Sequence, residues 1–500
     1  MTGVYGYLKR LLKTGAAYQV AEAVAKVIAL ILLPVYTHYL TPADYGTADL
    51  LLTLVILVSI VGRLGIIEAF VRFYYLDEDQ ARRDRVARAS TGIVLITTTV
   101  LAVLSAVFAA QLSKLVLGFQ DTTLWLITTL GLWSFTNLEM AYALLRVDEM
   151  TRVYVRASLT NVALTVGLSV WLVVGEGDGA RGLLAGNFIA STVVLLGLWW
   201  TLRHRVGVRI DGPTLSPMLR FGLPTVPAEV SVFALNLIDR TYLYRVESPK
   251  VAGLYSLAVK LAAVVIFVTR AFQYAWPPLA YSITDDGEAG RLYALVATYY
   301  VLVTGIIVAG LTLLGRWVVR LLAAPDFFDA YQALPWVSLG WAMYGLFLIF
   351  VVIAGRAKVT TRNFPAAAAG LAVNVGLLFL LVPSFGIAGA GAALCGAYLV
   401  MLVLMYALTR NLFSVGFQWV RLAQLLVVIG GFTVAGELLL PTEGAVGFLT
   451  RTVVWIAIPA VLLGTRFFPP SELQRLRELG GRLRRAPADS TPSGAPRTEV

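Results

Sequence analysis

Cysteine and histidine are nearly missing from this 500-residue chain, which has one cysteine, Cys395, and two histidines, His38 and His204. A lone cysteine excludes an intrachain disulfide, and inside an apolar stretch it reads as a small buried hydrophobe. Two distant histidines do not make a metal site. No Walker loop, nucleophile elbow, kinase set or Cys-x-x-Cys pair is present, so an enzyme has little support and no cofactor is expected beyond a coupling ion such as Na+ or H+. The glycines from Gly386 to Gly391 open a membrane helix, where close packing explains them better than a dinucleotide. Charge is scarce too. Charged residues make up 14% of the chain against 58% hydrophobic, with a mean hydropathy of +0.79. No water-exposed surface of this length can be built from that composition.

Apolar stretches recur from end to end, each long enough to cross about 30 Å of hydrocarbon as a helix. The expectation is an all-α polytopic membrane protein with about fourteen spans. They start near Gly15, Ala43, Ala89, Thr122, Ala157, Ala180, Phe221, Val251, Leu292, Tyr331, Asn363, Ile387, Leu422 and Val446. The first span carries Glu22 and Lys26 with no small-residue cleavage pattern after it, and reads as a permanent helix. Most Lys and Arg fall in alternate loops, among them Arg82, Arg83, Arg85, Arg88, Arg203, Arg205 and Arg209. That bias places both termini in the cytoplasm. The acidic loop from Asp285 to Arg291 departs from it. A net charge of +11 in such loops suits anionic membrane lipids rather than nucleic acid. After the last span, Ser471 to Gln474 resembles a capping box opening an interfacial helix with Leu473, Leu476, Leu479 and Leu483 on one side. Ala486 to Val500 reads as a disordered tail.

The chain repeats itself at an offset of 207 residues, matching Glu22 with Glu229, Pro42 with Pro249, Gly46 with Gly253, Arg63 with Arg270 and Tyr74 with Tyr281. No gap is needed from Gly15 with Gly222 to Tyr74 with Tyr281. The offset drifts to 210 at Arg146 with Arg356 and returns to 207 at Gly179 with Gly386. Each copy has six spans, an even number, so the copies enter the membrane in the same direction. This gives an N-terminal lobe over 1–210, a C-terminal lobe over 211–415, two appended helices over 416–468 and a cytoplasmic tail over 469–500.

A central charge in a bilayer costs about 2.5–3.5 kcal/mol even on a lenient scale. Lys26 has Glu22, and Arg72 has Glu68, four residues before it in the favourable order, and both read as local pairs. Arg63, Arg240, Lys260 and Arg270 have no acid three or four residues away. They need water, another helix or a ligand. For Arg63 and Arg270 a water-filled cavity between the lobes is preferred, with a cross-helix bridge to Glu229 or Glu22 as the alternative. Two guanidiniums facing one space call for an anion, and a diphosphate suits their forks. The anion-binding candidates are therefore Arg63, Arg270, Lys260 and Lys26. Glu22, Glu229, Asp239 and Arg240 are candidates for gating or ion coupling, and Asp239 and Arg240, being neighbours, need separate partners.

Several segments resemble a known family. They are Leu33-Pro34, the run from Tyr39 to Gly46, Gly65 with Arg72, Phe221 to Pro224, Ile238-Asp239-Arg240, Val251 to Ala258 and Gly386 to Ala390. Together they resemble the Wzx-like polysaccharide flippases of the multidrug/oligosaccharidyl-lipid/polysaccharide exporter superfamily. The resemblance implies a V-shaped pair of six-helix bundles that alternates access and carries an undecaprenyl-diphosphate-linked sugar unit to the outer leaflet, with ion coupling. It also implies a cationic lumen, a bacterial or archaeal cytoplasmic membrane, and a polymerase and glycosyltransferases as pathway partners. The appended helices resemble those forming a lipid-tail groove in lipid II flippases. Two other readings stand: a multidrug or organic-cation exporter of the same superfamily, which prefers acidic lumen residues, and a sugar polymerase, which needs a larger outer loop than Arg316 to Asp329.

Overall fold

The computed structural model describes residues 27–76, 79–207, 211–283, 285–357, 359–465 and 467–469, and among these all regular structure is helical. The first repeat contributes α1 (Leu33–Tyr39), α2 (Pro42–Gly62), α3 (Ile66–Tyr74), α4 (Gln80–Val107), α5 (Ala109–Leu117), α6 (Thr122–Val147), α7 (Thr151–Val170) and α8 (Gly179–Thr201). The second contributes α9 (Gly212–Gly222), α10 (Val226–Tyr242), α11 (Pro249–Leu261), α12 (Ala263–Ser282), α13 (Asp286–Leu322), α14 (Leu334–Arg356) and α15 (Asn363–Thr409). The appendage is α16 (Trp419–Leu425), α17 (Gly431–Leu439) and α18 (Gly444–Gly464).

Ten helices are long and apolar enough to cross a bilayer, or twelve with two bent pairs counted as single spans. Fourteen spans are not established among the described residues. The first falls largely on residues before Val27, which also removes Glu22 and Lys26 from view, as the segment after Phe468 removes the amphipathic helix and tail. Two expected spans run together in the 47-residue α15, which kinks at Gly386 (φ 53°, ψ −130°), one residue before the expected start at Ile387.

Local sequence sets the matched helix starts. Thr41 caps α2 by accepting from the Asp44 N–H, Asp44 accepts in return from the Thr41 N–H, and Pro42 occupies the first turn. In the second copy Ser248 caps α11 with Pro249 behind it. These two helix starts pack directly on each other. A Cβ on Gly46 would overlap the Pro249 carbonyl and the Gly253 backbone, and one on Gly253 would overlap the Pro42 carbonyl. The repeated glycines are therefore a contact between the two repeats, not merely a trace of duplication.

The same strand of contact continues along α2. It packs on α11 and α10, and beyond its end α3 packs on α9. Between α2 and α3 the helix breaks at Leu64 (φ 54°) and Gly65 (φ 67°). Gly65 supplies a left-handed residue and also lets the Gly222 carbonyl approach, which no side chain would permit. Thr97 repairs part of the break by donating to the Gly62 carbonyl at 2.7 Å. The second copy has no such break at the matched place; it bends by 52° more than two turns earlier, between α11 and α12. α9, which the sequence puts in the second lobe, buries Leu215 and Met218 in a core with Ile66, Phe70 and Val86 of the first.

The appended pair packs on α13. Arg451 is fully buried there, bonded to the Glu437 carboxylate, to the Pro441 carbonyl at 3.0 Å and to the Leu313 carbonyl at 3.2 Å. It satisfies carbonyls at the end of α17 that lipid could not.

Overpacking a contact of this kind costs about 1–3 kcal/mol, so Gly253→Ala is expected to open the α2–α11 contact by about tenfold in population. A cysteine replacing Ser256, buried at that contact, then reacts faster with a charged, water-soluble thiol reagent in the Gly253→Ala background; equal rates would contradict the assignment.

Candidate functional site

The charges sit on α2, α10 and α11. Arg63 is the C-cap of α2, Arg240 lies in the last turn of α10 and Lys260 in the last turn of α11, while Glu229 lies in the first turn of α10. A helix carries partial negative charge at its C-terminus, which favours Arg63 at the break that ends α2, whereas Glu229 and Arg240 lie inside a helical run that continues from Gly212 to Glu247 and are answered by side-chain partners instead. Inside a membrane that matters more, because water is not there to do the same.

α2 of the first repeat and α10 of the second are tied by two ion pairs of opposite polarity. Near the Pro42 end, Asp49 of the first lobe accepts from Arg240 Nε at 2.6 Å. Toward the Gly222 end, Arg63 of the first lobe donates to Glu229 at 3.1 Å. Around the first pair, Lys260 faces Asp49 and lies over the Tyr45 ring at 4.9 Å. Thr47 and Tyr244 close the same end with a 2.9 Å hydroxyl contact across the lobes. Around the second pair, Glu68 turns toward Arg63 and Glu229. The local Glu68–Arg72 pair expected from spacing is not formed: α3 is only nine residues long after the break, and Arg72 lies over the Phe221 ring at 4.5 Å.

Asp239 and Arg240 do take separate partners. Asp239 is almost fully buried and accepts from the Tyr255 hydroxyl at 2.9 Å, with Asn374 beside it. Its other carboxylate oxygen and both amide atoms of Asn374 have no hydrogen-bond partner.

Arg270 differs from its repeat partner. It is exposed on α12, donates to Gln273 at 3.0 Å and lies 5.9 Å from the Trp341 ring centre, with no acid bound to it among the described residues. The two matched arginines thus share no group. Lys260 belongs with Asp49 and Arg240 rather than with Arg270, but it also ends an apolar groove of about 370 Å³ lined by Val27, Leu30, Leu33, Leu261 and Phe267. No cluster of three or more metal-ligating side chains occurs among the described residues.

Sequence reasoning missed Asp49. Its only signal was an imbalance: Arg240 needed an acid elsewhere, and Asp49 breaks the repeat by matching Ser256. It missed the pairing of buried Arg451 with half-buried Glu437, although both flank the same short turn at 440–443.

The family model for polysaccharide biosynthesis proteins matches residues 35–331, more than half of the chain. The chain belongs to that family. Its fold is that of the multidrug/oligosaccharidyl-lipid/polysaccharide exporter superfamily. It is similar to a lipid II flippase, MurJ, in an inward closed conformation, at a TM-score of 0.72 and 14% identity over 90% of this chain and 98% of that one. It is similar also to an inward-facing multidrug resistance MATE family transporter, at a TM-score of 0.60 and 15% identity over 79% and 94% of the two chains. The Vibrio cholerae MATE transporter VcmN in its bent form follows at 0.52 and 14%, over 83% and 100%. At such identities the likeness is one of fold. No curated protein matches the sequence. This polysaccharide biosynthesis family member is therefore a multi-pass membrane protein with a transporter fold, and Arg63, Glu229, Asp49 and Arg240 tie α2 of its first repeat to α10 of its second.

Asp49→Asn leaves the Arg240 guanidinium without its counter-charge in a largely buried place, which costs about 3–5 kcal/mol. Thermal unfolding in detergent is expected to show a larger loss of stability for Asp49→Asn than for Asp49→Asn with Arg240→Gln. Equal losses would remove the pair from the account.

Proposed function

We propose that this protein is a flippase that moves an undecaprenyl-diphosphate-linked oligosaccharide from the cytoplasmic to the outer leaflet by alternating access of its two lobes, for surface polysaccharide assembly. The observation that carries the reading is Arg270. A guanidinium that is exposed within a membrane-spanning segment, with no acid bound to it among the described residues, requires water or an anion. A diphosphate offers its fork two oxygens at once.

In this reading the Gly222 end faces the cytoplasm, which the Arg-rich loops support, and the Pro42 end lies outside, in a bacterial or archaeal cytoplasmic membrane. The lipid tail remains in hydrocarbon along the apolar groove beside Lys260, while the diphosphate and sugars pass between the lobes. The sugars need only polar surroundings and the phosphates need replacement of their hydration, so no covalent step is involved. Asp239, buried with an unfilled carboxylate oxygen beside Asn374, is the acid best placed to couple transport to a cation. The polymerase and glycosyltransferases of the same pathway are the partners this role entails. Family membership supports the polysaccharide context, and the flippase and transporter neighbours support movement rather than catalysis.

Losing a charge-assisted hydrogen bond to phosphate costs about 1.5–3 kcal/mol, or roughly a 10- to 100-fold loss. Proteoliposomes given a fluorescent polyprenyl-diphosphate sugar should therefore flip it at least tenfold more slowly with Arg270→Ala than with the unmodified protein. Normal rates with both Arg270→Ala and Arg63→Ala would sink the anion reading.

A further inference from the structure

Resting on that reading, we propose that Glu229 is a built-in substitute for the cargo: in the empty carrier its carboxylate occupies the Arg63 guanidinium, and an entering diphosphate displaces it, so that loading releases the contact between α2 and α10.

Three observations point this way. First, the pair is incomplete. Arg63 reaches Glu229 through one nitrogen, and its Nε is buried with no acceptor. A guanidinium has five donors in a planar fork, and a diphosphate can take two where this carboxylate takes one. Second, the pair is reachable. The side chains are 17% and 33% exposed, whereas Arg451, which has a purely structural place, is 0% exposed and fills its donors with carbonyls and Glu437. Third, the site holds more acid than it uses. Glu68 adds a second carboxylate beside Arg63, and one of its oxygens is buried without a partner. Two acids around one base make the region uninviting to an anion until Glu229 leaves, while Arg270, on the matched helix, is open from the start.

The exchange has a mechanical consequence because Glu229 and Arg63 belong to different lobes. The outer pair, Asp49 with Arg240, ties the same two helices independently of it. Occupying Arg63 with cargo therefore removes one tie and leaves the other, which opens the lobes at the Gly222 end alone. By linkage, whatever the cargo gains from displacing Glu229, Glu229 withholds from the cargo in the empty protein. Glu229 is thus a positioning residue, acting on the cargo through Arg63.

The test uses the full-length protein in detergent with farnesyl diphosphate as the probe and spin labels at Val61 on α2 and Ser231 on α10. Glu229→Gln should bind the probe about tenfold more tightly than the unmodified protein. Without probe it should already show the interlabel distances that the unmodified protein reaches only with probe. Glu443→Gln, which breaks an exposed ion pair with Arg320, should change neither readout. If farnesyl diphosphate binds through Arg63 but Glu229→Gln binds it equally or more weakly, the substitute role is wrong while the anion site stands. If the probe moves no label distance in the unmodified protein, release by loading is wrong. If farnesyl diphosphate does not bind at all, the anion site and the substitute role fall together.

Discussion

Every charge inside this fold must be answered by something other than bulk water, and the crossing of α2 with α10 is where most of that demand is met. Two ion pairs of opposite polarity, Asp49 with Arg240 and Arg63 with Glu229, join helices of different lobes. Arg63 closes α2 at the Leu64–Gly65 break, where the helix C-terminus favours a cation, while Arg240 and Glu229 lie within a continuous helical run and depend on their partners. Because a charge left behind in hydrocarbon costs several kcal/mol, separating the lobes requires each group to find a new partner. The energetics of opening are therefore the energetics of exchanging counter-charges.

The duplication makes the exchange asymmetric. Both copies keep the hydroxyl cap, the proline and the glycine that let α2 and α11 meet. They differ just below. The first copy breaks at Leu64 and Gly65, holding Arg63 at a helix end beside Glu229, whereas the second bends more than two turns earlier and leaves Arg270 exposed on a continuing helix. Equivalent residues in unequal settings are what an alternating carrier needs, since a site identical in both lobes would have no reason to prefer one side.

Much of the architecture was legible in the sequence because hydropathy and the repeat are local or periodic signals. Starts expected near Ala43, Thr122, Ala180, Asn363 and Ile387 lie within a residue of the observed helix starts or of the Gly386 kink. The repeat marked Gly46 and Gly253 before anything showed that they touch. What was not legible depends on packing between distant helices. Asp49 looked like an ordinary residue near a span end until Arg240 was found against it. Glu68 and Arg72 have the spacing of a local pair, but the break before α3 turns Glu68 toward Glu229 and lets Arg72 reach Phe221. Gly65 and Gly222 are not repeat partners of each other, so no periodicity could pair them. The preference for an open cavity around Arg63 gave way to the cross-helix alternative, since a carboxylate already stands there.

The account stands on one claim, that an anionic diphosphate is held by the arginines of the duplicated helix and replaces a protein carboxylate in doing so. A structure of the protein bound to a short-chain prenyl diphosphate tests it most directly. The account predicts phosphate oxygens within hydrogen-bonding distance of Arg270 and Arg63, with the Glu229 carboxylate moved off the guanidinium. Phosphate found elsewhere, with Arg63 and Glu229 still joined, would contradict it.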